Sequence, residues 1–196
     1  MTLLTFTTAG STAPVSASVA AAGGLRCSGI ALLPLLALEP RSLFELRYVS
    51  PYNFLGASLY HALDGRLRCP VGLALQQVQL DLAAEGLGLN IWDSYRPLAV
   101  QQRMWDEIRD PRYASDPAVN SGRHTRGTAV DVILVDRRGM EMPMPTDFDD
   151  FSEAAHVDAA GVPTERRCFR SFATEWWHFD RKDWQTLPVV TGISPN

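Results

Sequence analysis

Apolar residues recur at helical spacing between Pro70 and Glu85. Pro70 suits the first turn of a helix, and Gly86 suits the position just after its end. The recurring apolar positions are Val71, Leu75, Val78, Leu82 and Ala83. The pattern therefore predicts a helix over residues 70–85.

Extended segments alternate with helices along the rest of the chain. Thr128–Val135 is the clearest predicted strand, because its β-branched residues fit a pleated sheet. Pro97 opens a predicted helix that runs to about Arg109. The other predicted elements are strands over Leu87–Trp92 and Glu175–Asp180, a strand or short helix over Leu43–Val49, a short packed element over Leu32–Leu38, and a short helix over about Pro163–Ser171. This order predicts an α+β domain with a small mixed, largely antiparallel sheet flanked by helices.

The N-terminal residues differ in composition from the rest. Met1 to Leu25 carry no charge and are rich in Ala, Ser, Thr and Gly. A secretory signal needs a basic stretch before its apolar one, whereas the first basic residue here is Arg26. We therefore expect a poorly structured segment over 1–38 and one folded domain over 39–196. The expected location is the cytoplasm or the periplasm, and the poor match to an export signal favours the cytoplasm. No uninterrupted run of about 18 apolar residues occurs, so no membrane span is expected.

Composition narrows the function classes. The 196 residues are 46% hydrophobic and carry a net charge of -4 at pH 7, which supports a folded core and argues against a nucleic-acid binder. Cys27, Cys69 and Cys168 are far apart and form no C-x-x-C pair. Neither a thiolate zinc site nor a disulfide framework is therefore expected. The oligomeric state is not indicated by the sequence.

Two short stretches carry candidate chemistry: S-G-R-H-T-R-G-T-A-V-D from Ser121 to Asp131, and E-W-W-H-F-D from Glu175 to Asp180. Two imidazoles and one carboxylate can fill three corners of a zinc tetrahedron and leave the fourth to water. The candidate ligands are His124, Asp131 and His178. An ionised aspartate in a core strand is costly unless it is paired or bound to a metal. An arginine partner for the aspartate and a simple hydrogen-bonding role for each histidine remain open, since the H-x6-D spacing is loose.

Glu175 precedes His178 by three residues and could act as a base toward a water at such a site. Ideal strand alternation places Glu175 and His178 on opposite faces. For both to reach one site, the strand must twist or begin irregularly at Glu175.

From Glu45 to Asp180 the chain resembles the VanX-type D-alanyl-D-alanine dipeptidases, a branch of the zinc D,D-peptidases. The matching stretches are E-L-R-Y-V-S-P-Y-N-F-L-G, W-D-S-Y-R-P, S-G-R-H-T-R-G-T-A-V-D, the M-P-T-D-F-D-D-F region and E-W-W-H-F. The resemblance implies the D,D-peptidase fold and hydrolysis of the small molecule D-Ala-D-Ala to two D-alanines. It also implies the roles of five residues: His124, Asp131 and His178 as ligands of one zinc ion per subunit, Glu175 as general base, and Arg96 as the group that stabilises the transition state.

Several residue roles stay open beside this resemblance. Arg96 could instead bridge to Asp93. Ser121 is a candidate donor to the substrate carboxylate. Candidates for contact with the substrate ammonium, or for a lid, are Asp147, Asp149 and Asp150, although a solvated acidic loop explains them equally well. His156 is not expected to be a ligand, because three ligands complete the set without it.

The chain departs from the family pattern at two places. The connection before Glu175 is shorter than is typical, which would shift Glu175 and His178. Gly122-Arg123 stands before His124 where a small polar residue is common, which would change contacts to the substrate carboxylate. Two other functions therefore remain: a D,D-carboxypeptidase acting on peptidoglycan stem peptides, and a zinc-stabilised binding module without activity.

Overall fold

The structure, a computed structural model, describes residues 31–39, 41–60, 65–157 and 170–192, apart from the side chains of Arg170 and Ser171. In chain order its strands are β1 Leu32–Pro34, β2 Leu43–Phe44, β3 Arg66–Arg68, β4 Leu87–Asp93, β5 Ala129–Asp136, β6 Arg170–Phe172 and β7 Glu175–Asp180. Its helices are α1 Leu35–Leu38, α2 Cys69–Ala84 and α3 Leu98–Ile108. Short 3-10 turns cover Arg47–Val49, His124–Arg126, Glu153–Ala155 and Trp184–Thr186.

Five of the strands form one sheet in the order β2-β4-β5-β7-β6. β2 pairs with β4 in parallel, and the remaining neighbours in this sheet are antiparallel. β1 and β3 form a separate antiparallel pair. The predicted α+β class with a mixed, largely antiparallel sheet is confirmed.

Helix α2 covers one face of this sheet. Its apolar stripe buries Val71, Leu75 and Leu82 against the inward side chains of β4 and β5, including Ile91 and Val130. The helix starts and ends within one residue of the predicted bounds. The opposite face of the sheet is left for other side chains.

The described N-terminal residues pack into the same core. Leu35 and Leu38 are 0% and 1% exposed, so Leu32–Leu38 forms the packed first element that its apolar composition predicts. Residues 1–30 lie outside the described residues, and the division of the chain at residue 38 stays a prediction. Leu43–Val49, predicted as a strand or a short helix, contains both a strand and a 3-10 turn.

Two expectations need correction. The helix predicted over 163–171 cannot reach Ser171, because Arg170–Phe172 is a strand paired with β7; residues 163–169 lie outside the described residues. Cys69 is disulfide-bonded, contrary to the expectation of no disulfide. Spacing alone missed this bond because a disulfide joins residues that are close in space rather than in sequence. Cys27 and Cys168 lie outside the described residues.

Among the described residues, every helix is too short or too polar to cross a lipid bilayer. The cytoplasmic location stays a prediction.

Candidate metal centre

One row of paired residues crosses the three central strands. Asp93 of β4 pairs with Asp131 of β5, which pairs in turn with His178 of β7. Directly opposite residues of antiparallel strands point to the same face of a sheet, so three polar side chains share the face opposite α2. Asp93 reaches this face because the pairing shifts between Ile91 and Asp93, which leaves Trp92 as an extra residue in β4.

His124 joins this row from the turn that precedes β5. The turn closes at Gly127, whose φ of 66° is a left-handed conformation that suits glycine. The backbone N–H of Arg68 donates to the Gly127 carbonyl at 2.9 Å, and that of Arg96 donates to the His124 carbonyl at 3.2 Å. Nδ1 of His124 donates to the Ser94 carbonyl at 2.6 Å, which leaves Nε2 as a lone-pair donor.

His124, Asp131 and His178 form a buried cluster whose ligand atoms all lie within 4.8 Å of one another. Asp131 Oδ1 lies 3.3 Å from His124 Nε2 and 3.0 Å from His178 Nδ1, and the two ring nitrogens are 3.1 Å apart. A ring lone pair therefore faces a carboxylate oxygen, an arrangement that a cation stabilises. The donor set fits a divalent metal such as zinc. His156 lies outside this cluster.

Protonation in the cluster also suits a metal. Burial opposes ionisation of Asp131, but electrostatic interactions with His124 and His178 hold the pKa of this carboxyl well below its usual range. Burial lowers the pKa of His178. An ionised carboxylate and a neutral imidazole are the forms that bind metal ions.

Glu175 opens β7 beside the cluster. Its Oε2 lies 3.8 Å from His178 Nδ1, so both side chains reach one site. The pairing of β6 with β7 shifts between Ser171 and Phe172, so that Phe172 pairs with Glu175 across the hairpin turn. This irregular start accompanies the approach of Glu175 to His178 that ideal alternation excludes. Burial, and then the neighbouring Asp131 carboxylate, raise the pKa of Glu175 well above its usual range.

Arg96 is held in place by several buried partners. Its Nε and Nη2 donate to Asp93 Oδ2 at 3.1 and 2.7 Å, and its Nη1 donates to Gln101 at 3.0 Å. The guanidinium lies over the Tyr48 ring at 4.9 Å and 3.8 Å from Asp131 Oδ2. Burial disfavours the charge, but the Asp93 carboxylate outweighs it and raises the pKa of Arg96. The bridge to Asp93 and a position beside the cluster therefore occur together.

A cavity of about 50 Å³ opens onto these side chains. Asp149 lies in its wall, where it accepts hydrogen bonds from Tyr48 Oη at 2.7 Å and from the Phe54 N–H at 3.1 Å. Burial raises the pKa of Asp149 to about 7. The other lining residues include Gln101, Met104, Tyr113, Ser115, Arg123, Phe151, Phe172 and Trp177.

The remaining predicted contact residues lie elsewhere. Ser115 lines the cavity, whereas Ser121 uses its carbonyl to accept a hydrogen bond from Thr125 Oγ1 at 2.7 Å. Asp147 lines a neighbouring surface cleft, which shares Phe54 and Asp149 with the cavity. Asp150 accepts a hydrogen bond from the Ser152 N–H at 2.9 Å. The substrate role of Ser121 stays a prediction.

Sequence reasoning missed two groups at the site, Tyr48 and Tyr60, and noted a third, Arg123, only as a departure from the family pattern. Tyr48 and Tyr60 reach it from the N-terminal half, and Tyr60 Oη donates to Asp93 Oδ1 at 2.6 Å. Arg123 lines the cavity next to His124. Only Arg123 had a local signal, its position beside a candidate ligand, because the tyrosines meet the site through contacts distant in sequence.

Comparison with known proteins places the chain among peptidases. The model of the peptidase M15 family, described as D-Ala-D-Ala dipeptidase, matches residues 30–190. A D-alanyl-D-alanine dipeptidase of Escherichia coli (strain K12) is 30% identical over 172 residues, covering 81% of this chain and 89% of the relative. Proteins of the same name from Enterococcus faecalis and Streptomyces coelicolor are 29% and 28% identical, over 56% and 71% of this chain and 69% and 86% of their own lengths.

A crystal structure of the D,D-pentapeptidase VanY in complex with Zn(II) aligns with a TM-score of 0.38 and 14% identity, covering 64% of this chain and 78% of that one. A likeness at this level does not identify a shared site. The family model, in contrast, spans most of the sequence, and the chain belongs to the peptidase M15 family of D-Ala-D-Ala dipeptidases.

Proposed function

We propose that the protein is a zinc-dependent D,D-dipeptidase that hydrolyses D-alanyl-D-alanine to two D-alanines. The observation that carries the proposal is the convergence of His124, Asp131 and His178 beside Glu175 in one small cavity. Membership of the family supports the same reaction.

His124, Asp131 and His178 would hold one zinc ion per subunit, because two imidazole nitrogens and a carboxylate oxygen suit zinc and leave a position open. Zinc bound there would polarise the peptide carbonyl and lower the pKa of water. The chain supplies the remaining chemistry.

Glu175 is the proposed general base. It takes a proton from the attacking water and passes it to the amine that leaves, so one carboxylate serves both proton transfers. Its raised pKa suits a group that must hold the proton between these transfers. Its position 3.8 Å from His178 keeps it beside the cluster.

Arg96 is the proposed stabiliser of the tetrahedral oxyanion. Asp93, Gln101 and Tyr48 fix its guanidinium before substrate arrives, so little reorganisation is needed when negative charge develops. The strong field of Asp93 keeps Arg96 charged throughout.

Asp149 is the proposed contact for the substrate ammonium. Its carboxylate lies in the cavity wall and is oriented by Tyr48 and Phe54. An arriving ammonium would favour the ionised form of this aspartate.

The test is hydrolysis by the pure zinc-loaded protein of D-Ala-D-Ala, of L-Ala-L-Ala and of a pentapeptide that ends in D-Ala-D-Ala. We expect faster cleavage of the D,D-dipeptide than of either other substrate, with release of D-alanine. Faster cleavage of the pentapeptide would instead indicate a D,D-carboxypeptidase. Zinc binding without any turnover would indicate a binding module and reject the proposal.

The base is tested by Glu175→Gln, which keeps the size of the side chain and removes its proton-accepting carboxylate. We expect kcat to fall by about 10²- to 10⁴-fold with unchanged zinc content, because that is the usual contribution of general-base catalysis. Glu153→Gln, on an exposed turn, should leave kcat unchanged. A Glu175→Gln protein with the kcat of the wild type would exclude Glu175 as the base.

A further inference from the structure

Arg123 is a largely buried cation in the wall of the cavity, with 15% of its side chain exposed. It directly precedes the candidate ligand His124. Its carbonyl accepts hydrogen bonds from the Arg126 N–H at 3.1 Å, the Thr128 N–H at 3.2 Å and Thr128 Oγ1 at 2.9 Å. These bonds fix the backbone from which the side chain extends.

Three side chains from the C-terminal part orient the guanidinium of Arg123. Its Cζ lies 4.4 Å from the centre of the Phe172 ring and 4.8 Å from that of Trp184. Its Nε forms an ion pair with Asp180, which is fully buried. Stacking on rings uses the faces of a guanidinium, while its N–H donors point along its plane. A carboxylate at the Nε edge is therefore compatible with a second carboxylate at another edge of the same plane.

A free dipeptide brings a carboxylate close to its scissile bond, and a buried carboxylate needs a cationic or hydrogen-bonding partner. Among the described side chains, the two arginines that line the cavity are Arg96 and Arg123. Arg96 is bound to Asp93 and Gln101 beside the metal cluster, where the oxyanion is expected. Asp149 contacts Tyr48 and Phe54, a set of residues different from the one around Arg123. The cavity thus offers separate partners for the two charged ends of a dipeptide.

Resting on the proposed dipeptidase function, we propose that Arg123 binds the C-terminal carboxylate of the substrate and so restricts the enzyme to substrates with a free C-terminus. Arg123 then acts in substrate recognition, while Arg96 acts on the transition state. Asp180 and the two rings position the guanidinium of Arg123.

The test compares D-alanyl-D-alanine with D-alanyl-D-alaninamide, which lacks the negative charge at the C-terminus. The wild-type zinc-loaded protein should prefer the free acid in kcat/KM. In Arg123→Gln, KM for the free acid should rise about 10- to 100-fold, the usual effect of losing hydrogen bonds to a charged group. The KM and kcat/KM for the amide should change little in this variant. An equal loss on both substrates would overturn the proposal, because a merely structural role does not distinguish them.

Arg126→Gln is the matched control. Arg126 also lies over Trp184, at 5.5 Å, but donates to the Leu187 carbonyl and does not line the cavity. It should keep the preference for the free acid. If Arg123→Gln does not fold, Arg123→Lys should fold with a reduced preference, since an ammonium lacks the planar donor fork. A full preference in that variant would overturn the proposal.

A binding measurement distinguishes failure of this proposal from failure of the proposed dipeptidase function. If the wild-type protein hydrolyses neither substrate, NMR titration of zinc-free protein with the free acid and the amide still tests Arg123. Tighter binding of the free acid by wild type, lost in Arg123→Gln, would support the carboxylate site without the activity. Equal binding of both compounds would overturn it.

Discussion

Asp149 shows how one residue can bring strain and an unusual ionisation into a site. Its φ of 61° lies in the left-handed region that non-glycine residues seldom adopt. The hydrogen bonds from Tyr48 and Phe54 hold it there, and burial raises its pKa to about 7. The proposed substrate ammonium would give this carboxylate a cationic partner within the cavity.

The raised pKa of Asp149 predicts a pH dependence of stability. The folded protein binds this proton more tightly than the unfolded chain, so the stabilising contribution is complete below about pH 4 and is lost as the pH rises to about 7. Asp149→Asn should reduce this loss of unfolding free energy by about 1–2 kcal/mol. This figure is below the full value of the pKa shift because water partly reaches the residue.

Urea unfolding of zinc-free protein across that pH range measures the effect. Asp147→Asn, on an exposed position of the same loop, is the control and should follow the wild type. Parallel curves for the wild type and Asp149→Asn would contradict the prediction.

At the scale of elements, the site depends on irregularities in otherwise regular strands. The extra residue Trp92 in β4 turns Asp93 toward Asp131, and the shifted pairing before β7 accompanies the approach of Glu175 to His178. The turn ending at Gly127 then places His124 against the same row. Each departure from ideal geometry brings one polar side chain to the common face.

Gly127 is the element-scale test. A Cβ at this position would lie 2.5 Å from Leu32 Cδ1, in a left-handed conformation that disfavours alanine. Gly127→Ala should lower the free energy of unfolding by about 1–3 kcal/mol and weaken zinc binding, because the turn that carries His124 must shift.

The control for Gly127→Ala is Gly56→Ala, at a similar φ of 60° but with open space around the new Cβ. It should show the cost of the backbone conformation alone, with zinc affinity unchanged. Equal effects of the two substitutions on zinc affinity would contradict the proposed link between the turn and His124.

The elements themselves follow closely from local sequence. The helical apolar spacing predicts α2 to within one residue at each end, and β7 has the predicted bounds Glu175–Asp180. The bulge at Trp92 could not be predicted, because a bulge depends on the partner strand rather than on local alternation. The surroundings of Arg123 were equally inaccessible, since Phe172 and Trp184 lie about fifty residues or more away in sequence.

At the scale of the whole molecule, the three candidate ligands come from segments that the sheet and its turns connect. His124 precedes β5, Asp131 lies within it, and His178 lies in the neighbouring β7. A metal bound only in the folded state stabilises the protein by mass action. At about 100 times the dissociation constant this amounts to about 2.7 kcal/mol.

Zinc should therefore raise the Tm of the chelator-treated protein by about 5–10 °C, measured by calorimetry. His178→Ala should abolish this shift. His156→Ala, outside the cluster, should retain it. An unchanged Tm on zinc addition to a protein shown to bind zinc would contradict a site specific to the folded state.

The row formed by Asp93, Asp131 and His178 also determines where insertions and deletions can occur without moving these side chains. Inserting one residue in β5 between Ala129 and Asp131 would turn the aspartate to the other side of the sheet, since side chains alternate along a strand. The segment from Arg137 to Val157 meets the sheet at one isolated bridge, between Glu141 and Val135 of β5, and contributes Asp149 to the cavity wall. Lengthening a loop costs little free energy, so insertions and deletions there could alter which substrates enter while leaving the metal donors in place.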